Sequence, residues 1–176
     1  ECRMGNPGRL TTDIGPVIDA EAKENIEKHI AALRAKGRTV FQAVQENGVD
    51  AREWRTGTFV PPTLIELESF DELKKEVFGP VLHVVRYNRN NLDALVGQIN
   101  ASGYGLTLGV HTRIDETIGQ VTGSVHVGNL YVNRNNGGAA GGVQPLGGEG
   151  VCGCGPKAGG PLLFYWLLRA EERCVG

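Results

Sequence analysis

Apolar residues recur at helical spacing in three stretches of the chain. Asp19 opens the first as an N-cap, Ile26, Ile30 and Leu33 fall on one face, and Gly37 supplies the stop, which predicts a helix over 20–36. A second follows Asn90 or Asn91, with Leu92, Leu95, Val96 and Ile99 inward and Gly103 at its end, predicting a helix near 91–101. The third spans 114–121, with Asp115 near its start. Between them lie β-rich runs at 39–44, 58–66, 81–87, 106–111 and 125–132. Pro61-Pro62 marks the second run as an edge or a bent entry. The run VLHVVRY over 81–87 is continuous, as in a strand buried on both faces. Ser69 is placed to cap a short helix through Glu76, which Gly79-Pro80 would end. This alternation predicts an α/β fold with a largely parallel sheet and flanking helices. In such sheets ligands sit at the carboxyl ends of strands, so the loop after Val132 is a binding-site candidate on topology alone.

Composition narrows the function. With 176 residues the chain is one domain or a large piece of one, long enough to bury a sizeable core. Hydrophobic residues at 40% and charged residues at 22% exclude disorder. A net charge of -2 gives no electrostatic reason for a nucleic-acid partner. The longest apolar run, Leu162 to Leu168, is far short of the roughly 20 residues of a membrane helix. The opening Glu1-Cys2-Arg3-Met4 carries neither a signal-peptide core nor an initiator Met, which fits a mature or truncated product. Cys2, Cys152, Cys154 and Cys174 and the scattered His29, His83, His111 and His126 lack the paired spacing of a zinc site, so no metal is expected. Reduced thiols in the cytoplasm are the plain reading of the cysteines.

Glycine is the outlier, with 26 in the chain and 11 of them between Gly137 and Gly160. Such a loop lets backbone N–H groups approach an anion, yet Lys157 is followed by Ala158, so no phosphate-loop motif is completed. Tight turns against a sheet edge explain the glycines equally well. In Glu76-Val77-Phe78-Gly79-Pro80 a carboxylate stands two residues from an aromatic ring. It suits ribose hydroxyls and a flat heterocycle, or else a solvated Glu and a core Phe. Cys152 and Cys154 have no histidine nearby in sequence, and a thiol there would be activated only if Lys157 were close. Cys2 sits where a chain start frays.

Six segments in order then carry a resemblance. They are Thr11 to Ile18 (TTDIGPVI), Gly57 to Thr63 (GTFVPPT), Glu76 to Val81 (EVFGPV), Tyr104 to Thr112 (YGLTLGVHT), Gly128 to Asn135 (GNLYVNRN) and Gln144 to Gly148 (QPLGG). Together the chain resembles the C-terminal part of an aldehyde dehydrogenase catalytic domain. Val17 to Ala22, Leu82 to Tyr87, Tyr131 to Asn135 and Gly155 to Pro161 are similar to L-glutamate γ-semialdehyde dehydrogenase, also called Δ1-pyrroline-5-carboxylate dehydrogenase. Among such enzymes the chain resembles the form in bacterial bifunctional proline utilisation enzymes, joined to a proline dehydrogenase.

The resemblance implies NAD as cofactor and glutamate semialdehyde as substrate. It implies that Glu76 binds the nicotinamide ribose and that Phe78 packs near the cofactor. It implies that backbone at Gly138 and Ala139 anchors the substrate's α-carboxylate, and that Leu146, where the family usually has Phe, lies beside the substrate chain. The family's nucleophilic cysteine, general-base glutamate, oxyanion asparagine and glycine-rich nucleotide-binding half match positions upstream of Glu1. No catalytic residue is therefore expected in this chain, and no turnover from it alone. Cys152 and Cys154 stand where the family tends to have Ser and Thr. Asn136 stands where an apolar residue is common, at the head of an unusually Gly- and Ala-rich loop over 136–142. The implied organisation is a partial catalytic domain over 1–135, a substrate-anchoring loop region over 136–160, and a C-terminal segment over 161–176 that contributes to homo-oligomer contacts in the full-length parent. The competing expectation is a stand-alone binding or oligomerisation module built on the same fold.

Overall fold

The structure is a computed structural model, and it describes residues 2–43, 57–136, 146–153 and 155–158. They fall into two compact units that divide between Arg86 and Tyr87.

In the first unit, helix α1 (Ala20–Ala35) starts where predicted: the Asp19 carboxylate accepts the Ala22 N–H. At its far end Gly37 adopts φ 79°, its N–H donates to Arg34 and the Arg38 N–H to Leu33. This double closure is the glycine-dependent stop that the sequence signals. Strands β1 (Thr39–Gln42), β2 (Thr63–Leu67) and β3 (Val81–Val85) form one sheet in that order, β1–β2 antiparallel and β2–β3 parallel. The row Val40–Ile65–His83 faces α1, whose Ile26, Ile30 and Leu33 join Val60, Ile65 and Leu67 in the core. The alternate row, Phe41–Leu64–Leu82, faces away and is uncovered among the described residues, with Leu82 60% exposed. Strand 81–87 is therefore buried on one face, not two. Its continuous apolar run reflects a second face that α1 does not reach.

Two further expectations are corrected here. Residues 58–62 are not strand, since Pro61 and Pro62 lack the N–H groups a ladder needs, and pairing begins at Thr63. The helix expected from Ser69 through Glu76 is a single 3₁₀ turn, Phe70–Glu72. Its Glu72 side chain turns back onto the Glu68 and Ser69 N–H groups, completing a capping box, and Leu73 is already non-helical. The chain start is also tied down. Met4 is buried and bridges Ile14, while the Arg3 N–H donates to the Asp13 carboxylate at 2.8 Å.

In the second unit, α2 (Leu92–Ala101) is preceded by a 3₁₀ turn, Arg89–Asn91. The capping side chain is Asn88, not Asn90 or Asn91, and it accepts the Asn90 N–H. Strand β4 (Tyr104–Gly105) leads to β5 (Thr107–Val110), α3 (Asp115–Ser124) and β6 (Asn129–Val132). Parallel pairing of β5 with β6 across α3 makes a β-α-β unit, with Leu92, Val96 and Val121 as its core. Part of the glycine-rich region is itself strand. β7 (Leu146–Gly150) pairs antiparallel with β4 and with β8 (Gly155–Ala158). Among the described residues the architecture is thus α/β, with three small sheets, two of which contain a parallel pair.

Candidate functional site

The Glu76–Pro80 segment links the 3₁₀ turn to β3 and is held at both ends. Before it, Glu72 accepts a hydrogen bond from Arg38 Nε at 2.8 Å, and Arg38 also pairs with Glu68. Arg38 thereby holds the Glu72 carboxyl below its ordinary range. After it, the Pro80 carbonyl accepts the Thr63 N–H at 2.9 Å. Within it, residues alternate inward and outward. Val77 packs on the core, and Gly79 lies so close to α1 that an added Cβ would stand 2.5 Å from Ile26 Cδ1. With Val77 and Gly79 taken inward, Glu76 and Phe78 face out, and the Phe78 ring is 84% exposed. Phe78 is thus outside the core formed by the described residues. An outward carboxylate and an outward ring on a braced segment form a surface suited to a polar hydroxylated group beside a flat one.

In the second unit, the carboxyl ends of β5 and β6 are bound by side chains. Asn133, at φ 54°, has its amide paired to both backbone groups of Thr112, at 2.9 and 3.0 Å, so it prolongs the β5–β6 ladder by one step. Asparagine tolerates this left-handed backbone better than most residues. Asn136 lays its amide over Gly109, where any side chain would collide with it. This is the position where the resembled family favours an apolar residue. The loop that follows, with Gly138 and Ala139, which the resemblance implicates in substrate anchoring, lies outside the described residues, and so does the side chain of Leu146.

The residue that sequence reasoning missed is Asn129. It is buried, and its Nδ2 donates to Leu106 O at 2.8 Å and to Gly147 O at 2.6 Å. It joins β6 to the chain entering β5 and to β7, one residue beyond Leu146. Its signal was present: a polar amide at the centre of the largely apolar run VHVGNLYV. Gly128 beside it touches the Gly147 backbone, and Gly148 the Cys152 backbone, so close strand packing accounts for these glycines. Cys152 is a half-buried free thiol in the turn after β7, and Cys2 is exposed. Cys154, Lys157 as a side chain, and the 161–176 segment lie outside the description. Among the described residues, no three His, Cys, Asp or Glu gather as a metal site would require, and no helix is long and apolar enough to cross a membrane.

Residues 1–168 match the aldehyde dehydrogenase family, and the chain belongs to it. The bifunctional protein PutA of Klebsiella aerogenes is 84% identical over 173 residues, which are 98% of this chain and 13% of that protein. The 1-pyrroline-5-carboxylate dehydrogenase of Bacillus cereus is 34% identical over 97% of this chain and 32% of its own length. A crystal structure of a Bradyrhizobium japonicum proline utilization A variant superposes with a TM-score of 0.76 at 48% identity, over 92% of this chain and 16% of that one. The chain thus spans a minor part of each of these relatives.

Proposed function

We propose that the chain is the C-terminal part of the catalytic domain of an NAD-dependent L-glutamate γ-semialdehyde dehydrogenase, which oxidises the semialdehyde to glutamate in proline catabolism. The observation that carries this reading is the 84% identity to PutA across nearly the whole chain. The outward pair Glu76 and Phe78 supports it, because that surface fits a nicotinamide riboside. The Glu76 carboxylate would accept hydrogen bonds from the ribose hydroxyls, and the Phe78 ring would flank the cofactor. Bound NAD supplies the hydride acceptor. Backbone N–H groups at Gly138 and Ala139 would hold the substrate's α-carboxylate, and Leu146 would line its aliphatic chain. The organisation that goes with this reading is a partial catalytic domain over 1–135, an anchoring loop region over 136–160 and an oligomer-contact segment over 161–176, in a cytoplasmic homo-oligomeric parent.

In this reading the nucleophile, the general base and the nucleotide-binding half belong to parts of the family's polypeptide that this stretch does not match. The 176-residue chain by itself is therefore catalytically silent. The test is NADH production from NAD and glutamate semialdehyde at high protein concentration. The expected result is no rate above buffer. A rate abolished by Cys152→Ser would overturn the placement of the nucleophile outside this stretch.

A further inference from the structure

The half-buried pair His29 and His83 joins α1 to β3, and neither residue enters the reading above. Their Nε2 atoms are 2.8 Å apart, the ring centroids 5.1 Å apart and the rings 77° from coplanar. The centroid separation exceeds the nitrogen gap by one ring radius on each side. The two Nε2 atoms therefore point at one another along a single line. A metal ion between two collinear rings, at about 2.0–2.1 Å from each nitrogen, would hold those nitrogens about 4 Å apart, well beyond the 2.8 Å found. A proton needs the collinear arrangement found here.

We infer that His29 and His83 share one proton head to head, clasping α1 to β3, and that the clasp opens when both rings are protonated. In the neutral pair one ring donates its Nε2–H, and the other accepts at Nε2 while carrying its own proton on Nδ1. A first added proton goes to the free Nδ1 of the donor ring and leaves the hydrogen bond in place, now charge-assisted. A second must occupy the accepting Nε2. It sets two N–H groups and two positive charges against each other, and the contact breaks.

The surroundings favour the low-proton state. Burial and the charges of Lys75 and Lys36 lower the His29 pKa, and burial and the neighbouring His29 lower that of His83. On α1 the residues one turn away, Asn25, Ile26, Ala32 and Leu33, are uncharged; on β3 the same-face neighbours are Val81 and Val85, and β2 places Ile65 opposite His83. The charged company is thus Lys36, from the end of α1, and Lys75, from the segment before β3. Gly79 rests on Ile26, one turn from His29, so the clasp also braces the Glu76–Pro80 segment. Only that consequence depends on the proposed cofactor role of Glu76 and Phe78; the clasp itself does not.

The test is long-range 1H–15N correlation of the imidazole nitrogens in the unaltered 176-residue chain, from pH 8 down to pH 4.5. At neutral pH one of the two rings should be the Nδ1–H tautomer and the other the Nε2–H tautomer. The pair should titrate in two separated steps, and His29→Gln should merge them into one and move the His83 titration upward, toward an ordinary histidine. Two rings of the same tautomer, each titrating in one independent step, would overturn the proposal. The tautomers are measured without any substitution, so a poorly folded variant does not shield the proposal from refutation.

Discussion

Asn129 shows what one polar side chain contributes in this fold. Its amide reaches two carbonyls, those of Leu106 and Gly147, which no apolar residue of its size would satisfy. Asn129→Leu should leave the Gly147 carbonyl without this partner in a buried setting, at a cost of about 1–3 kcal/mol. The measurement is the urea unfolding midpoint at unchanged slope. A variant within experimental error of the parent would show that β6 and β7 are not joined through this amide. The same scale explains Phe78. Composition favoured burial for a lone Phe. What decides its exposure is the pair of neighbours that take the inward positions, Val77 by packing and Gly79 by close approach to Ile26. That outcome depends on contacts 53 residues apart in sequence and was not legible from local pattern.

Elements with local signals were legible. α1 was bounded by Asp19 and Gly37, and both act as the sequence indicates. The parallel partner strands β5 and β6 carried β-branched and apolar runs, and β5 lies within one residue of its expected ends while β6 begins four residues late. β7 and β8 were missed because a strand of Leu146-Gly147-Gly148-Glu149-Gly150 has no side-chain alternation to read; its glycines serve close backbone contact instead. The 3₁₀ turn at Phe70–Glu72 was over-read as a helix because its cap was recognised but the backward reach of Glu72 was not.

That reach, together with the histidine clasp, gives the first unit two acid-sensitive links between neighbouring elements. His29 and His83 have lowered folded-state pKa values, so the unfolded chain binds more protons below the ordinary value of 6.5, and stability falls as pH drops through it. Glu72 is lowered from 4.5 chiefly by its hydrogen bond with Arg38, so its contribution is present above that pH and is lost as pH falls below it. Thermal melts of the first unit's helix signal against pH should therefore decline in two stages. His29→Gln should diminish the upper stage and Glu72→Gln the lower, to which Glu24, lowered by its partner Lys28, also contributes. A single decline, unchanged by either substitution, would contradict this assignment.

For the molecule as a whole, fold class was the most legible property and the site the least. Six family segments in order announced an aldehyde dehydrogenase fold, and the family assignment bears that out over residues 1–168. Of the candidate site, only Glu76 and Phe78 fall where side chains are described, and both face out. Gly138 and Ala139 belong to a loop whose composition carries no periodicity. The Phe41–Leu64–Leu82 row leaves an apolar strip exposed on one sheet face among the described residues, in a chain that spans a minor part of its relatives.

The central claim is that the Glu76–Pro80 segment forms a cofactor wall of an aldehyde dehydrogenase. Its most direct test is to graft this chain in place of the matching segment of Klebsiella aerogenes PutA and to measure glutamate semialdehyde oxidation as NAD is varied. The graft should be active. Glu76→Ala in it should reduce kcat/KM for NAD by about tenfold or more, the loss of charge-assisted hydrogen bonds to the ribose, with the KM for semialdehyde little changed. An active graft whose kcat/KM for NAD is indifferent to Glu76→Ala would contradict the account.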